Sequence, residues 1–310
     1  MKTKINLNPT VERTGKKRGV ERMLRPSAWF TMPSVLIYTA LFALPVIIAF
    51  VSSTTNWNGL SISPKNLQFI GIQNFTRMLS DGDLLNSIKV TFLITFIVAI
   101  VVNIGGLCIA LMLDRTGKMT SVMRSFFFIP YVMSSVSIAF IWMAILSYNG
   151  LLNNLLDILQ LDKLNLFQNS QSAIGCICVV EIWRTLGFYM VLYIAALQGV
   201  PHELVEACML DGGGKWATFW HVKFPLILPQ LLTGVMMSIT TEMRLYDLVY
   251  ILTNGGPGTS TRTVAYSIVT QGFSNWRMGY AGAIAVVLSI IIIIMTAISR
   301  KLQNAAEVDQ

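Results

Sequence analysis

Two ionisable side chains three residues apart interrupt a long apolar run in the middle of the chain. Glu181 and Arg184 lie within Ser172–Leu197, which is otherwise mostly apolar. A charge in a membrane helix costs on the order of 2.5–3.5 kcal/mol, so such groups usually face protein or water. Residues three apart share one face of an α-helix, where opposite charges attract. The spacing therefore favours an internal ion pair that fixes helix packing.

A second polar group lies toward the end of the next apolar run. It consists of Glu242, Arg244, Tyr246 and Asp247. On a helix, Glu242 would share a face with Tyr246, and Arg244 with Asp247. Sugars are bound by planar hydrogen-bonding side chains, with aromatic rings against their apolar faces, so the group suits contact with a sugar. A network of charged side chains that pair with one another and hold an external gate shut explains the same residues equally well. Both interpretations stay open.

Soluble character returns between these two runs, in residues 198–228. Pro201 suits the first position of a helix. Glu203 and Glu206 place negative charge in the first turns of that helix, where its dipole favours them. The Asp-Gly-Gly-Gly run at 211–214 then predicts a sharp turn, because glycine tolerates the backbone angles that such a turn requires.

A second short helix is predicted over Lys215–Val222, with Trp216 among the aromatic residues that it displays. Pro225 and Pro229 are expected to end this element and to lead into the next apolar run. A rigid frame with aromatic side chains and a carboxylate is typical of a docking site for a partner protein. An amphipathic connector resting on the lipid surface explains the pattern equally well.

No catalytic or nucleotide-binding motif is evident in the sequence. The nearest approach to a phosphate-binding loop is Gly214-Lys215, where Trp216 replaces the required Ser or Thr and Met209 the required Gly. There is no paired His motif, nucleophile elbow or metal-ligand cluster. The four cysteines lie outside the predicted external loops, so we expect no disulfide framework. The sequence predicts neither an enzyme nor a metal or cofactor bound by this chain.

The elements that must position these side chains are membrane helices. The chain has 310 residues, of which 54% are hydrophobic and only 12% charged, against roughly 25% charged in soluble domains. Residues 279–299 contain no charged side chain at all, and about 18 such residues suffice to indicate a membrane span. An all-α integral membrane protein with six transmembrane helices is therefore predicted, with the spans Trp29–Ser52, Ile88–Leu113, Ser125–Ser147, Ser172–Leu197, Leu226–Val249 and Met278–Ser299.

The distribution of basic residues predicts that both termini are cytoplasmic. With this orientation 15 of the 23 basic residues lie inside and six outside, as the positive-inside rule requires. The basic N-terminal segment, which alone holds eight of them, is interpreted as a cytoplasmic anchor beside anionic lipid rather than as a nucleic-acid-binding tail. The predicted organisation is a cytoplasmic tail (1–28), a six-helix transmembrane domain (29–299) with a cytoplasmic loop (198–228), a second tail (300–310) and external loops near 53–87, 148–171 and 250–277.

The loop at 198–228 resembles the EAA loop of ABC-importer permeases. Glu206-Ala207-Cys208, then Gly212, then Val222-Lys223-Phe224-Pro225 follow the spacing of that loop, in which a Glu-Ala-Ala triplet precedes a glycine and a later Ile-x-Leu-Pro. Cys208 stands for the second Ala, Val222 for the Ile and Phe224 for the Leu, and all three are apolar. Further segments in the same order resemble the carbohydrate-uptake, maltose-permease-like branch: Phe69–Phe75, Phe128-Ile129-Pro130, Gly150–Asn153, Trp183-Arg184 and Tyr246–Pro257.

This resemblance implies a type I ABC-importer permease in the inner membrane of a prokaryote, which carries a sugar or polyol by alternating access. Its partners would be a second homologous permease, a pair of ATP-binding cassette subunits that hold the ATP and Mg²⁺, and an extracytoplasmic substrate-binding protein. The residues implied in coupling to the ATPase are Glu206, Ala207, Cys208, Asp211, Gly212, Trp216 and Pro225. The alternative is a self-sufficient secondary transporter, which would require inverted repeats with interrupted helices, and no internal repeat is visible in the sequence.

Overall fold

The computed structural model describes residues 28–60, 67–114 and 117–308. Within these ranges the chain is almost entirely helical, and six helices are long and apolar enough to cross a membrane. They are Thr31–Ser53, Gly82–Leu113, Ser135–Ile158, Ser170–Gln198, Lys215–Glu242 and Met278–Ala305. The predicted all-α membrane protein with six spans is confirmed, whereas the predicted N-terminal tail lies outside the described residues except for its last residue.

The helices are numbered here in chain order. They are α1 Ala28–Tyr38, α2 Leu44–Ser53, α3 Gln73–Ser80, α4 Gly82–Leu113, α5 Lys118–Val132, α6 Ser135–Leu146, α7 Leu151–Ile158, α8 Ser170–Gln198, α9 His202–Leu210, α10 Lys215–Thr218, α11 Phe224–Glu242, α12 Asp247–Leu252, α13 Val264–Val269 and α14 Met278–Val308. Short π-helical turns lie at Thr39–Ala43, Phe219–Lys223 and Thr270–Ser274.

The chain divides after Val51 into two units. The first unit contains α1, the π-helical turn that follows it and most of α2, which together form the first span. The second unit begins at Ser52 and contains the other five spans. Its core lies between α4 and α8, which pack along much of their length.

Buried side chains repeat at helical spacing along α4. Val90, Ile94, Val98 and Val102 are each at most 5% exposed and belong to one apolar cluster with residues of α8. Gly106 continues this face, and a Cβ there would lie 2.9 Å from the Cβ of Tyr189. Because lipid is as apolar as these side chains, membrane helices associate through such close packing rather than through hydrophobic burial.

A second close approach, between α5 and α8, gives a testable prediction. A Cβ at Gly187 of α8 would overlap the backbone carbonyl oxygen of Phe127 in α5. Because a backbone atom cannot swing aside as a side chain does, we expect Gly187→Ala to cost about 1–3 kcal/mol or more. Gly175→Ala on the same helix meets no atom within 4 Å and serves as the control. The melting temperatures of the purified variants test the prediction, and equal melting temperatures would contradict it.

The third predicted span, Ser125–Ser147, is not one helix. α5 ends at Val132, Met133 and Ser134 are extended, and α6 begins at Ser135. Pro130 lies in the last turn of α5, where its missing N–H weakens the helical ladder. Ser134 occupies the position before α6, which serine favours because short polar side chains compete for backbone hydrogen bonds.

The prolines of the cytoplasmic loop do not end an element, contrary to the expectation from sequence. The backbone is helical without a break from Lys215 to Glu242. The π-helical turn before α11 has the Phe224 N–H bonded to the Phe219 carbonyl oxygen. Pro225 follows directly after this turn, whose altered hydrogen bonding accommodates a residue without an N–H. Pro229 lies inside the helix, and its own carbonyl oxygen accepts a hydrogen bond from the Thr233 hydroxyl.

Candidate functional site

A polar cavity of about 350 Å³ lies where two interrupted spans meet. One interruption separates α5 from α6, and the other separates α11 from α12, because α11 ends at Glu242 and not at Val249 as predicted. The Ser135 hydroxyl donates a 2.6 Å hydrogen bond to the Asp247 carboxylate, which joins the two short helices that follow the breaks. The polar side chains lining the cavity are Ser135, Glu181, Arg184, Thr241, Arg244, Tyr246 and Asp247.

The cavity unites the two polar groups that the sequence presents separately. Glu181 is fully buried. The Arg184 guanidinium donates two hydrogen bonds to its carboxylate, one from Nε to Oε2 at 3.0 Å and the other from Nη2 to Oε1. The Arg184 side chain remains 16% exposed. A bidentate pair of this kind is rigid, so one edge of the guanidinium is held toward the cavity.

The end of α11 gives the four residues of the second group different environments. Glu242 is 1% exposed and lies behind the lining. Arg244 is exposed, and its Nε donates to the Thr240 carbonyl oxygen at 3.0 Å. Tyr246 stacks on the Tyr250 ring with 5.5 Å between centroids. Among the described residues Arg244 and Asp247 form no ion pair, because the helical spacing assumed for them is interrupted at residues 243–246.

Ser135 lines the cavity, and the sequence reasoning did not identify it. It is the first residue of α6, so the positive end of that helix dipole lies beside the Asp247 carboxylate. The signal available in the sequence was the pairing of Pro130 with Ser134-Ser135 inside an apolar run. Read as a helix stop followed by a helix start, it indicates an interrupted span.

The loop predicted to couple to an ATPase is exposed. No residue of α9 is buried, and Glu206 and Ala207 face solvent. Leu210, at the end of this helix, is 87% exposed. Asp211, Trp216 and Pro225 are also exposed.

Contacts between its two short helices give the loop its shape. Cys208 is half-buried, and the Thr218 hydroxyl of α10 donates to its Sγ at 3.7 Å. A Cβ at Gly213 would lie 2.6 Å from that sulfur. Lys223 forms an ion pair of 3.2 Å with Asp114 at the end of α4. These contacts hold the two short helices of the loop together and attach the loop to the end of a spanning helix.

The geometry of the turn after α9 predicts that alanine substitutions at Gly212 and Gly214 have different effects on transport. Gly212 has φ +85°, which costs other residues about 1–2 kcal/mol. Gly214 has φ −74° and open space around it. If the loop couples to an ATPase as the resemblance implies, Gly212→Ala should lower ATP-driven transport by shifting α9, and Gly214→Ala should retain it. Uptake into vesicles checks this, and equal uptake by the two variants would show that the turn geometry does not matter.

Comparisons with known proteins agree with this architecture. Residues 102–307 match the family described as "Binding-protein-dependent transport system inner membrane component". The multiple sugar-binding transport system permease protein MsmF of Streptococcus mutans serotype c is 30% identical over 281 residues, covering 90% of this chain and 95% of MsmF. The probable starch degradation products transport system permease protein AmyD of Thermoanaerobacterium thermosulfurigenes is 28% identical over 281 residues, covering 90% of this chain and 94% of AmyD.

A solved structure shares the fold. A bacterial ABC transporter involved in the import of the acidic polysaccharide alginate contains a chain that superposes with a TM-score of 0.78, covering 93% of this chain and 99% of that one at 17% identity. The family match covers well over half of the residues, and six helices in the described part of the chain are long and apolar enough to cross a membrane. This chain belongs to the family of inner-membrane components of binding-protein-dependent transport systems.

Proposed function

We propose that this chain is a permease subunit of an ATP-driven importer and that it passes a sugar or related polyol through the cavity beside Arg184. The observation that carries the proposal is this polar cavity inside otherwise apolar spans. A sugar hydroxyl both donates and accepts hydrogen bonds, and the lining offers donors in Arg184 and Arg244 and an acceptor in Asp247. Tyr246 supplies an aromatic ring for the apolar face of the sugar.

ATP hydrolysis takes place in separate partner subunits, which bind the nucleotide and Mg²⁺. A pair of these ATPases docks on α9 and the turn after it, around Glu206, Ala207 and Gly212. A second, homologous permease completes the pathway, and a binding protein on the outer side delivers the substrate. The exposed apolar and acidic residues of α9 support this arrangement, since no residue of this helix is buried within the chain and its side chains remain available to a partner.

The uninterrupted helix from Lys215 to Glu242 transmits the movement in this proposal. Its 28 residues span about 42 Å at about 1.5 Å per residue. One end lies next to the docking loop, and the other ends at the cavity. A displacement of α9 by the ATPases therefore moves the cavity wall as a rigid-body change, which is how alternating access exposes a site to each side in turn.

The test uses the assembled transporter, reconstituted into vesicles with its partner subunits and binding protein. We expect ATP-dependent uptake of at least one member of a panel of radiolabelled mono-, di- and oligosaccharides and polyols. Asp247→Asn should raise the substrate concentration needed for half-maximal uptake without removing ATP hydrolysis. Failure of the whole panel to be taken up, with ATP hydrolysis intact, would refute the substrate class. ATP-independent uptake by this chain alone would refute the assigned role.

A further inference from the structure

Glu242 is a buried carboxylate whose two oxygens have no partner. Its side chain is 1% exposed, and within the described residues neither oxygen receives a hydrogen bond. An ionised carboxylate removed from water without a donor costs several kcal/mol, far more than a polar group that finds a partner. The proposed transport route does not use this residue, since it lies behind the cavity lining.

The group against which Glu242 lies is itself an acceptor. Glu181 of α8 lies in the same cavity wall as Thr241 and Leu245, the residues that flank Glu242 along the chain. Glu242 is therefore close enough to interact electrostatically with both Glu181 and Arg184. The guanidinium of Arg184 is already committed to both oxygens of Glu181. Two ionised carboxylates repel each other at such a range and cannot form a hydrogen bond, because neither has a hydrogen to donate.

The charges of this cluster do not balance. Glu181 and Glu242 contribute two negative charges and Arg184 one positive charge, which leaves one negative charge in the interior of a membrane protein. A single proton removes this charge and at the same time supplies the missing donor. The O–H of one carboxyl then bonds to an oxygen of the other, as in carboxylate pairs that share one proton.

Within the described part of the chain, the neighbouring helices present no other compensating charge to this cluster. α4 presents the uncharged Thr95 and Asn103 on its buried face, and its lysine, Lys89, is exposed. On α14 the titratable residue nearest the outer end, Tyr280, donates its hydroxyl to Asp81 at 2.7 Å. On α8, Cys178 and Tyr189 lie within electrostatic range of Glu242, and both side chains are neutral at ordinary pH.

The remaining charged and titratable groups belong to other parts of the site. Tyr131 of α5 interacts with Arg184 rather than with Glu242. His221 and Lys223 lie in the turn at the opposite end of α11. Arg244 and Asp247 follow the helix end, where they bond to Thr240 and Ser135 respectively.

We propose that Glu181 and Glu242 form an intramembrane binding site for one proton, which joins α8 to the end of α11 and keeps the cavity wall electrically neutral. The proton enters from solvent and is held between two carboxyl oxygens, and no other bond changes. The site concerns a ligand different from the transported solute, so it does not depend on which sugar or polyol is carried.

Infrared spectroscopy of the assembled transporter tests the proposal, because a protonated carboxyl group has a carbonyl band that an ionised one lacks. At neutral pH we expect such a band from one carboxylic acid in the wild type, and its loss in Glu242→Gln, which replaces the acid by a neutral group of the same shape. Asp247→Asn is the matched control and should keep the band. Absence of the band in the wild type, or its persistence in Glu242→Gln, would overturn the proposal.

The wild-type protein supplies a second measurement that does not depend on how a variant folds. This chain is labelled with ¹³C-glutamate and assembled with unlabelled partner subunits. The expected result is a shift of the carboxylic acid band to lower frequency. An unshifted band would assign the acid to an aspartate of this chain or to another subunit, and either assignment would overturn the proposal. The transported substrate takes no part in either measurement, so a failure here is distinct from a failure of the uptake assay.

Discussion

Arg184→Met is expected to destabilise the protein by about 3–5 kcal/mol, because it leaves the fully buried Glu181 without its partner. Methionine is close to arginine in length and fills the same space, so the effect reports the lost charge rather than a cavity. The measurement is the melting temperature of the purified transporter, together with the amount of protein that assembles in the membrane. We expect a strong fall in both.

Two further variants make this prediction specific. Arg244→Met removes an exposed arginine from the same cavity, whose Nε donates to a backbone carbonyl, and should change stability by less than about 1 kcal/mol. The double variant Glu181→Gln/Arg184→Met removes both charges and should recover most of the lost stability, since neutral replacements for a buried pair are often tolerated. A double variant as unstable as Arg184→Met alone would contradict the assignment of the loss to an unpaired charge.

Glu206→Lys is expected to abolish most ATP-driven transport while leaving the permease assembled in the membrane. Glu206 is exposed on a helix that contains no buried residue, so the fold does not depend on it. Under the proposed function it lies at the centre of the contact with the ATPase. The loss of a central contact residue costs about 2 kcal/mol or more, which corresponds to roughly 30-fold weaker association.

The measurement compares sugar uptake with ATP hydrolysis in the same vesicles. We expect uptake to fall and the remaining hydrolysis to become independent of substrate, because the motor no longer moves the helix that begins at Lys215. Asp157→Lys is the control, since it reverses an exposed carboxylate (67% exposed) whose pairing with Lys163 spans 3.7 Å at the surface and is worth little. Full substrate-stimulated uptake by Glu206→Lys would remove α9 from the coupling path.

The uninterrupted helix Lys215–Glu242 joins the cytoplasmic loop at 198–228 directly to the cavity. The sequence reasoning treats the loop as a separate element closed off by Pro225 and Pro229. In the structure these prolines lie inside the helix that runs from the loop to the cavity. A movement of the loop therefore requires no additional joint before it reaches Glu242.

The number and order of the spans follow from the sequence alone, as do the approximate bounds of all but the third and fifth. Each depends on a local property, namely the length of an apolar run, which the thickness of the bilayer converts directly into a helix. The exposed helix around Glu206 and the turn at Gly212 are equally local, because helix-start residues and glycines act within a few positions of the chain. For the same reason the EAA-like spacing is legible without any knowledge of the fold.

The cavity and its charge cluster were decided only by the tertiary structure. Whether a proline ends a helix, as near Pro130, or is accommodated, as at Pro225, depends on the backbone hydrogen bonds that the surrounding turns provide. The meeting of Glu181 with Glu242, 61 positions apart, depends on how α8 packs against α11. Sequence spacing carries no information about a contact between two helices, because the energy of that contact belongs to neither helix alone.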